Sequence, residues 1–109
     1  MAERIIKRGE IYWVNFDPTI GTEIKKIRPA LIIFSSWHRV IALPITSNTQ
    51  EVHEWQLVIN KLVKDKDEKI LFDQIRSFDK QRLLRKLGEI TEKEIGQVSQ
   101  MLKKMLLLE

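Results

Sequence analysis

The sequence contains no cysteine. Disulfides, thiolate zinc sites and cysteine nucleophiles are therefore excluded from the outset. Histidine is nearly as scarce, with His38 and His53 the two in the chain. No segment approaches the roughly 18 consecutive apolar residues that a membrane-spanning helix needs, so no membrane partner is expected. The opening residues Met1-Ala2-Glu3-Arg4-Ile5-Ile6-Lys7-Arg8 hold no apolar run of leader-peptide length. With the lack of cysteine, this makes the cytoplasm the expected location. Internal repeats, low-complexity tracts and Pro/Gly/Ser-rich linkers are also missing. A single domain over residues 1–109 is expected, large enough for one modest core.

What the chain does have is positive charge, a net +4. A basic balance favours phosphate-bearing partners, and its distribution says more than its sum. Lys25, Lys26 and Arg28 lie together, as do Lys80, Arg82, Arg85 and Lys86. Acidic residues concentrate elsewhere, in Asp65-Lys66-Asp67-Glu68 and at the start of the last predicted helix.

Residues 11–16 are β-branched and aromatic, closed by the turn pair Asp17-Pro18, and read as a strand. Both parities of that run are apolar, which predicts burial on both faces or a place at a subunit interface. Pro29 forces Arg28 into an extended conformation and opens a second strand over 30–34. Residues 40–45, 55–59 and 70–75 are the next strand candidates, with a charged, exposed connection between the last two. Asp79 can cap a short helical stretch over 80–86, interrupted by Gly88, with a brief strand at Glu89-Ile90. Thr91 and Glu94 have capping-box spacing. Ile95, Val98, Leu102, Met105 and Leu106 follow as one helical stripe. Several short strands and a terminal helix predict a mainly β fold, a small barrel or curled sheet with the helix docked on it.

Three segments carry a family pattern. The first runs Arg8-Gly9-Glu10-Ile11-Tyr12-Trp13-Val14-Asn15-Phe16-Asp17-Pro18-Thr19-Ile20-Gly21-Thr22-Glu23 and resumes at Ile27-Arg28-Pro29-Ala30-Leu31-Ile32-Ile33. The second is Pro44-Ile45-Thr46-Ser47, and the third Asp73-Gln74-Ile75-Arg76-Ser77-Phe78-Asp79-Lys80-Gln81-Arg82-Leu83. In this order, and with the terminal helix, the chain resembles the MazF/PemK toxins along nearly its whole length. The resemblance implies an SH3-like small β-barrel (CcdB/PemK-like) with a C-terminal helix. It further implies a homodimer that cleaves single-stranded RNA at short sequence motifs without a metal or other cofactor. Its cognate antitoxin would silence it with an acidic C-terminal segment. The catalytic arginine and threonine of the family match Arg28 and Thr46, and the Asp-Gln beside them matches Asp73 and Gln74. Three departures stand out. Leu71 occupies a position where some members carry an acid-donating arginine, Lys25-Lys26 replaces a common Gly-Gly, and the turn from Ser35 to Arg39 is shorter than in many members.

The chemistry of these residues fits that expectation. RNA carries its own nucleophile, the ribose 2′-OH, so an enzyme need only orient the attack, stabilise charge on phosphorus and manage two protons. A guanidinium at Arg28 can hold two phosphate oxygens while keeping its charge. The hydroxyl of Thr46 can donate to a phosphate oxygen, with Ser47 as a weaker candidate for the same contact. Asp73 is a candidate acceptor for the 2′-OH proton, a role that burial would favour, and Gln74 can contact a base or phosphate. Thr19, Thr22, Glu23, Lys25 and Lys26 lie on the loop expected to flank RNA. Trp37 is a candidate base-stacking residue or, alternatively, a lid on the core. Trp13 and Trp55 are expected in the core or a dimer interface. Arg76 is expected to pair with a carboxylate. Two other readings stay open: a gyrase-poison-like toxin of the same fold that binds a protein, and a non-catalytic nucleic-acid-binding barrel. A His38–His53 acid–base pair is a further, weaker possibility.

Overall fold

The computed structural model describes residues 5–23, 26–60, 62 and 66–107. Among them run β1 (Glu10–Asn15), β2 (Ile27–Ser35), β3 (Arg39–Thr46), β4 (Gln56–Ile59), β5 (Glu68–Leu71), β6 (Arg76–Asp79), β7 (Leu83–Glu89) and helix α1 (Glu92–Met105). The strands form one antiparallel, strongly curled sheet in the order β4-β5-β3-β2-β1-β7, with β6 also paired to β3. It is barrel-like, as expected, but no ladder among the described residues closes it.

The apolar alternation of β1 is satisfied within one chain. Tyr12, Val14 and Phe16 join Ala30, Ile32, Val40, Ala42, Phe78 and Leu83 in one buried cluster. Ile11 joins Leu31, Leu43, Ile45, Ile70 and Phe72 in a second, on which α1 lays Val98 and the half-buried Ile95, Leu102 and Met105. The two-sided pattern of β1 thus reflects a sheet covered on both faces, and is not by itself a reason to expect a second subunit.

The helix begins as its spacing predicts. The Thr91 hydroxyl accepts from the Glu94 N–H at 3.2 Å, and the Glu94 carboxylate accepts from the Thr91 N–H at 2.8 Å. Gly9 anchors the sheet to this helix. Its φ is +93°, and a Cβ there would stand 3.3 Å from Ile95 Cδ1, so both backbone angle and space call for glycine.

Two predicted elements are corrected. The strand expected over 70–75 is broken. Ile45 lies opposite Ile70 whereas Ala42 lies opposite Arg76. Three steps along β3 correspond to six along its partner, and the surplus residues Phe72–Gln74 leave the ladder as a 3-10 turn. The helical stretch expected over 80–86 is also shorter. Asp79 does cap it, accepting from the Gln81 N–H at 2.8 Å, but the turn ends at Arg82. Leu83 and Lys86 instead pair with Val14 and Tyr12 of β1, so tertiary pairing overrides local helical preference. Strand β7 passes through Gly88 to Glu89.

Candidate active site

Register builds the site. Ala30 on β2 lies opposite Pro44 on β3. Two residues further along each strand, on that same face, come Arg28 and Thr46. The next strand continues the row, since Thr46 lies opposite Lys69 of β5. Neighbouring strands are about 4.8 Å apart, so a guanidinium and a hydroxyl stand at adjoining strand ends. Both residues are half-buried and, with Ser47, line a cleft of about 340 Å³ that also includes Trp13, Lys66 and Glu68.

Thr46 is held in a defined orientation. Its hydroxyl oxygen accepts the Asn48 backbone N–H at 3.3 Å, a local turn contact typical of threonine. The hydroxyl proton remains available to an acceptor in the cleft.

Asp73 and Gln74 line a second cleft of about 310 Å³, together with Thr22, Glu23, Phe16 and Arg76, that shares no lining residue with the first. They stand on the 3-10 turn that breaks the ladder, which turns them out of the sheet. Asp73 is exposed, so the burial that would favour a proton-accepting role is not supplied by this chain.

The loop before β2 is organised by its own polar groups. Glu23 accepts the Ile20 N–H at 2.6 Å, so its carboxylate holds the loop turn. Asp17 Oδ1 accepts the Lys26 N–H at 3.0 Å, and the Phe16 N–H reaches the Lys26 carbonyl at 2.9 Å. Lys26 is exposed and adopts a φ of +65°. Thr19 is half-buried in the same loop. Lys25 lies outside the described residues.

Two arginines are structural. Arg76 donates to the Phe16 carbonyl at 2.8 Å, with its guanidinium 6.0 Å from the Phe16 ring centroid; a backbone oxygen takes the place of the carboxylate expected for it. Arg82 donates to the Asn15 carbonyl at 3.1 Å and also to that of Asp17. Lys86 pairs with Glu10 at 2.8 Å. Within the second basic cluster, Arg82 and Lys86 are therefore engaged by partners within the chain.

Trp37 neither lids the core nor adjoins the Arg28 cleft. It is 71% exposed at the β2–β3 turn, and β2 separates it from Arg28 by about 20 Å at 3.3 Å per residue. His38 lies edge-on to Trp37 and His53 lies 3.6 Å from Glu51, so each histidine is engaged by its sequence neighbourhood. Trp55 packs against the helix-side cluster. Trp13 belongs to the cleft instead of the core, a placement that sequence reasoning missed. It lies opposite Pro29, the residue after Arg28, a cross-strand register that the sequence does not display. Among the described residues no group of three His, Asp or Glu converges as a metal site, and no helix is long and apolar enough to cross a membrane.

A curled antiparallel sheet with a docked terminal helix, and an arginine–threonine cleft at its strand ends, defines a small, mainly β, barrel-like protein. Residues 7–106 match the model of the PemK-like, MazF-like toxins of type II toxin–antitoxin systems, and the chain belongs to that family. It is 31% identical to Endoribonuclease MazF9 of Mycobacterium tuberculosis over 91% of this chain and 94% of that protein. Its fold is similar to the crystal structure of MazF from Deinococcus radiodurans, with a TM-score of 0.82, 23% identity and coverage of 97% of this chain and 100% of that one. A mycobacterial endoribonuclease solved in complex with its cognate antitoxin also aligns, with a TM-score of 0.70, 18% identity and coverage of 94% and 93%.

Proposed function

We propose that this chain is an endoribonuclease toxin that cuts single-stranded RNA at particular short sequences, without a metal ion, and so arrests translation and growth. The observation that carries this reading is the shared cleft of Arg28 and Thr46 on adjacent strand ends. In the reaction the ribose 2′-oxygen bonds to the adjacent phosphorus and the bond from phosphorus to the 5′-oxygen breaks. One proton leaves the 2′-OH and one arrives on the 5′-oxygen, leaving a 2′,3′-cyclic phosphate and a 5′-hydroxyl. Arg28 takes two phosphate oxygens and stabilises the charge that builds on them. Thr46, its oxygen already engaged by Asn48, donates to one of the same two oxygens, with Ser47 beside it. Asp73 and Gln74 meet the strand from the second cleft, Asp73 as candidate acceptor of the 2′-OH proton. Thr19, Thr22, Glu23, Lys25 and Lys26 contact the RNA on either side.

The naming of MazF9 as an endoribonuclease supports the substrate class, and the antitoxin-bound mycobacterial structure supports an antitoxin partner. An acidic antitoxin segment would be drawn to the charge around Arg28 and exclude RNA, and the working unit would be a homodimer. The test is purified protein with single-stranded RNA in excess EDTA. Discrete fragments ending in a cyclic or 3′-phosphate, with 5′-hydroxyls opposite, are expected. Intact RNA, or 5′-phosphate ends, would refute the reading.

A further inference from the structure

Strand β5 lies between β3 and β4. The chain that leaves β3 at Thr46 must therefore cross β5 before entering β4 at Gln56, and residues 47–55 make that crossing. Lys69, in β5, lies opposite Thr46 on one side and Val58 on the other. Directly opposed residues on neighbouring strands share a face, so Lys69 stands beside Thr46. It is only 7% exposed, and its Nζ donates to the Glu51 carbonyl at 2.6 Å. That carbonyl is in the middle of the crossing.

The two ends of the crossing are tied separately. At the far end His53 and Gln56 hold each other, the His53 N–H donating to Gln56 Oε1 at 2.9 Å and the Gln56 N–H to the His53 carbonyl at 3.2 Å. At the near end Asn48 Oδ1 accepts the Gln50 N–H at 3.4 Å, and the Asn48 N–H reaches the Thr46 hydroxyl. Between them, Lys69 supplies the link to the sheet below. Among the described residues no carboxylate pairs with it; the Glu51 carboxylate lies instead beside His53. Burying an ammonium without a counter-ion is unfavourable, and an apolar side chain of similar length would fill the same space without that cost. What an apolar side chain could not supply is the bond from Nζ to the Glu51 carbonyl.

We infer that Lys69 is a positioning residue for Thr46. Its charge-assisted bond to the Glu51 carbonyl fixes residues 47–55 in the arrangement that lets the Asn48 N–H aim the Thr46 hydroxyl into the cleft. The inference rests on the reading of Thr46 as a phosphate contact.

The experiment compares wild type, Lys69→Met, Lys69→Arg, Lys69→Gln, Thr46→Ala and the double variant Thr46→Ala/Lys69→Met. Two readouts are taken: cleavage kinetics on a single-stranded RNA that the wild type cuts, and nicking after Glu51 and Glu54 by a glutamate-specific protease. Lys69→Met is expected to lower kcat about tenfold with KM within about twofold, and to leave the melting temperature no lower. Lys69→Arg restores most of the rate, and Lys69→Gln, which keeps a donor without charge, falls between. The double variant should be no slower than Thr46→Ala, because groups acting through one another are not additive. Nicking should accelerate about tenfold in Lys69→Met and stay near wild type in Lys69→Arg. Unchanged kcat in Lys69→Met, multiplicative losses in the double variant, or unchanged nicking would each overturn the inference. A wild type that leaves RNA intact defeats the nuclease reading, while the nicking rates still decide whether Lys69 holds the loop.

Discussion

The backbone N–H of Asn48 meets the hydroxyl oxygen of Thr46 at 3.3 Å, at the end of the strand that runs beside Arg28. A hydroxyl that already accepts one bond from a fixed donor has its own proton left for a substrate. Such preorganisation matters most when charge develops on the atom receiving the proton. Thr46→Val keeps the shape and removes the donor, so it should slow single-turnover RNA cleavage about tenfold or more with little change in substrate affinity. Thr46→Ser keeps the hydroxyl and should retain most of the rate. Equal rates for Val and wild type would show that the hydroxyl takes no part.

Arg28 offers a sharper test. Loss of one preorganised contact to a developing oxyanion costs about 3 kcal/mol, or roughly a hundredfold in rate. Arg28→Ala should lose at least that much. Arg28→Lys should recover only part of it, because an ammonium lacks the planar fork. Arg28 is half-buried at a strand end, so circular dichroism and melting temperature should hold. A fully active alanine variant would move the phosphate site elsewhere.

The Glu10–Lys86 pair makes a prediction about stability alone. Burial pushes the Glu10 carboxyl up. The bond from Lys86, the Lys7 N–H, the Lys86 charge and the Tyr12 hydroxyl outweigh burial and hold it below its ordinary 4.5. The bond to Glu10 leads the causes that raise Lys86 above its ordinary 10.5, against some desolvation, with the charges of Glu10 and Glu89 adding. A lowered carboxyl stabilises the fold above its unfolded value, and that contribution disappears as pH falls through the folded value. A raised lysine stabilises below its unfolded value and loses that contribution as pH climbs through the folded one. The pair should therefore contribute fully between about pH 5 and pH 10. Urea unfolding of Glu10→Gln should show a lower midpoint than wild type near pH 7 and a smaller further drop below pH 4.5. Parallel pH profiles would rule out this role for Glu10.

Short-range features were the legible ones. Thr91 and Glu94, or Asp79 and Gln81, are close enough in sequence for side-chain chemistry to set the local backbone. The strand positions of Arg28 and Thr46 followed from Pro29 and from the apolar runs beside them. Long-range choices were hidden. The turn carrying Asp73 and Gln74 exists because two segments pair with one β3 edge in different registers. Residues 83–86 have enough leucine, arginine and lysine to look helical, yet β1 claims them. Arg76 and Arg82 find backbone carbonyls about sixty residues away, and such pairings leave no periodicity to detect.

Lys26 combines a local strain with a candidate RNA contact, and the two can be separated. Its φ of +65° is the left-handed conformation, which costs a side-chain-bearing residue about 1–2 kcal/mol. Glycine removes that strain, offset by about 0.5–1 kcal/mol from the freedom it restores to the unfolded chain. The bonds Lys26 makes to Asp17 and Phe16 use its backbone N–H and carbonyl, so Lys26→Gly keeps both. The melting temperature should stay level or rise by a few degrees. If the lysine also neutralises an RNA phosphate, binding must weaken and become less salt-dependent. For a single strand, each neutralised phosphate contributes about 0.7 to the slope of log affinity against log salt. RNA binding by Lys26→Gly, measured in an Arg28→Ala background to prevent cleavage, should therefore lose about 0.7 from that slope. A stable Lys26→Gly protein with an undiminished slope would place Lys26 outside the RNA path and leave its role to the loop backbone.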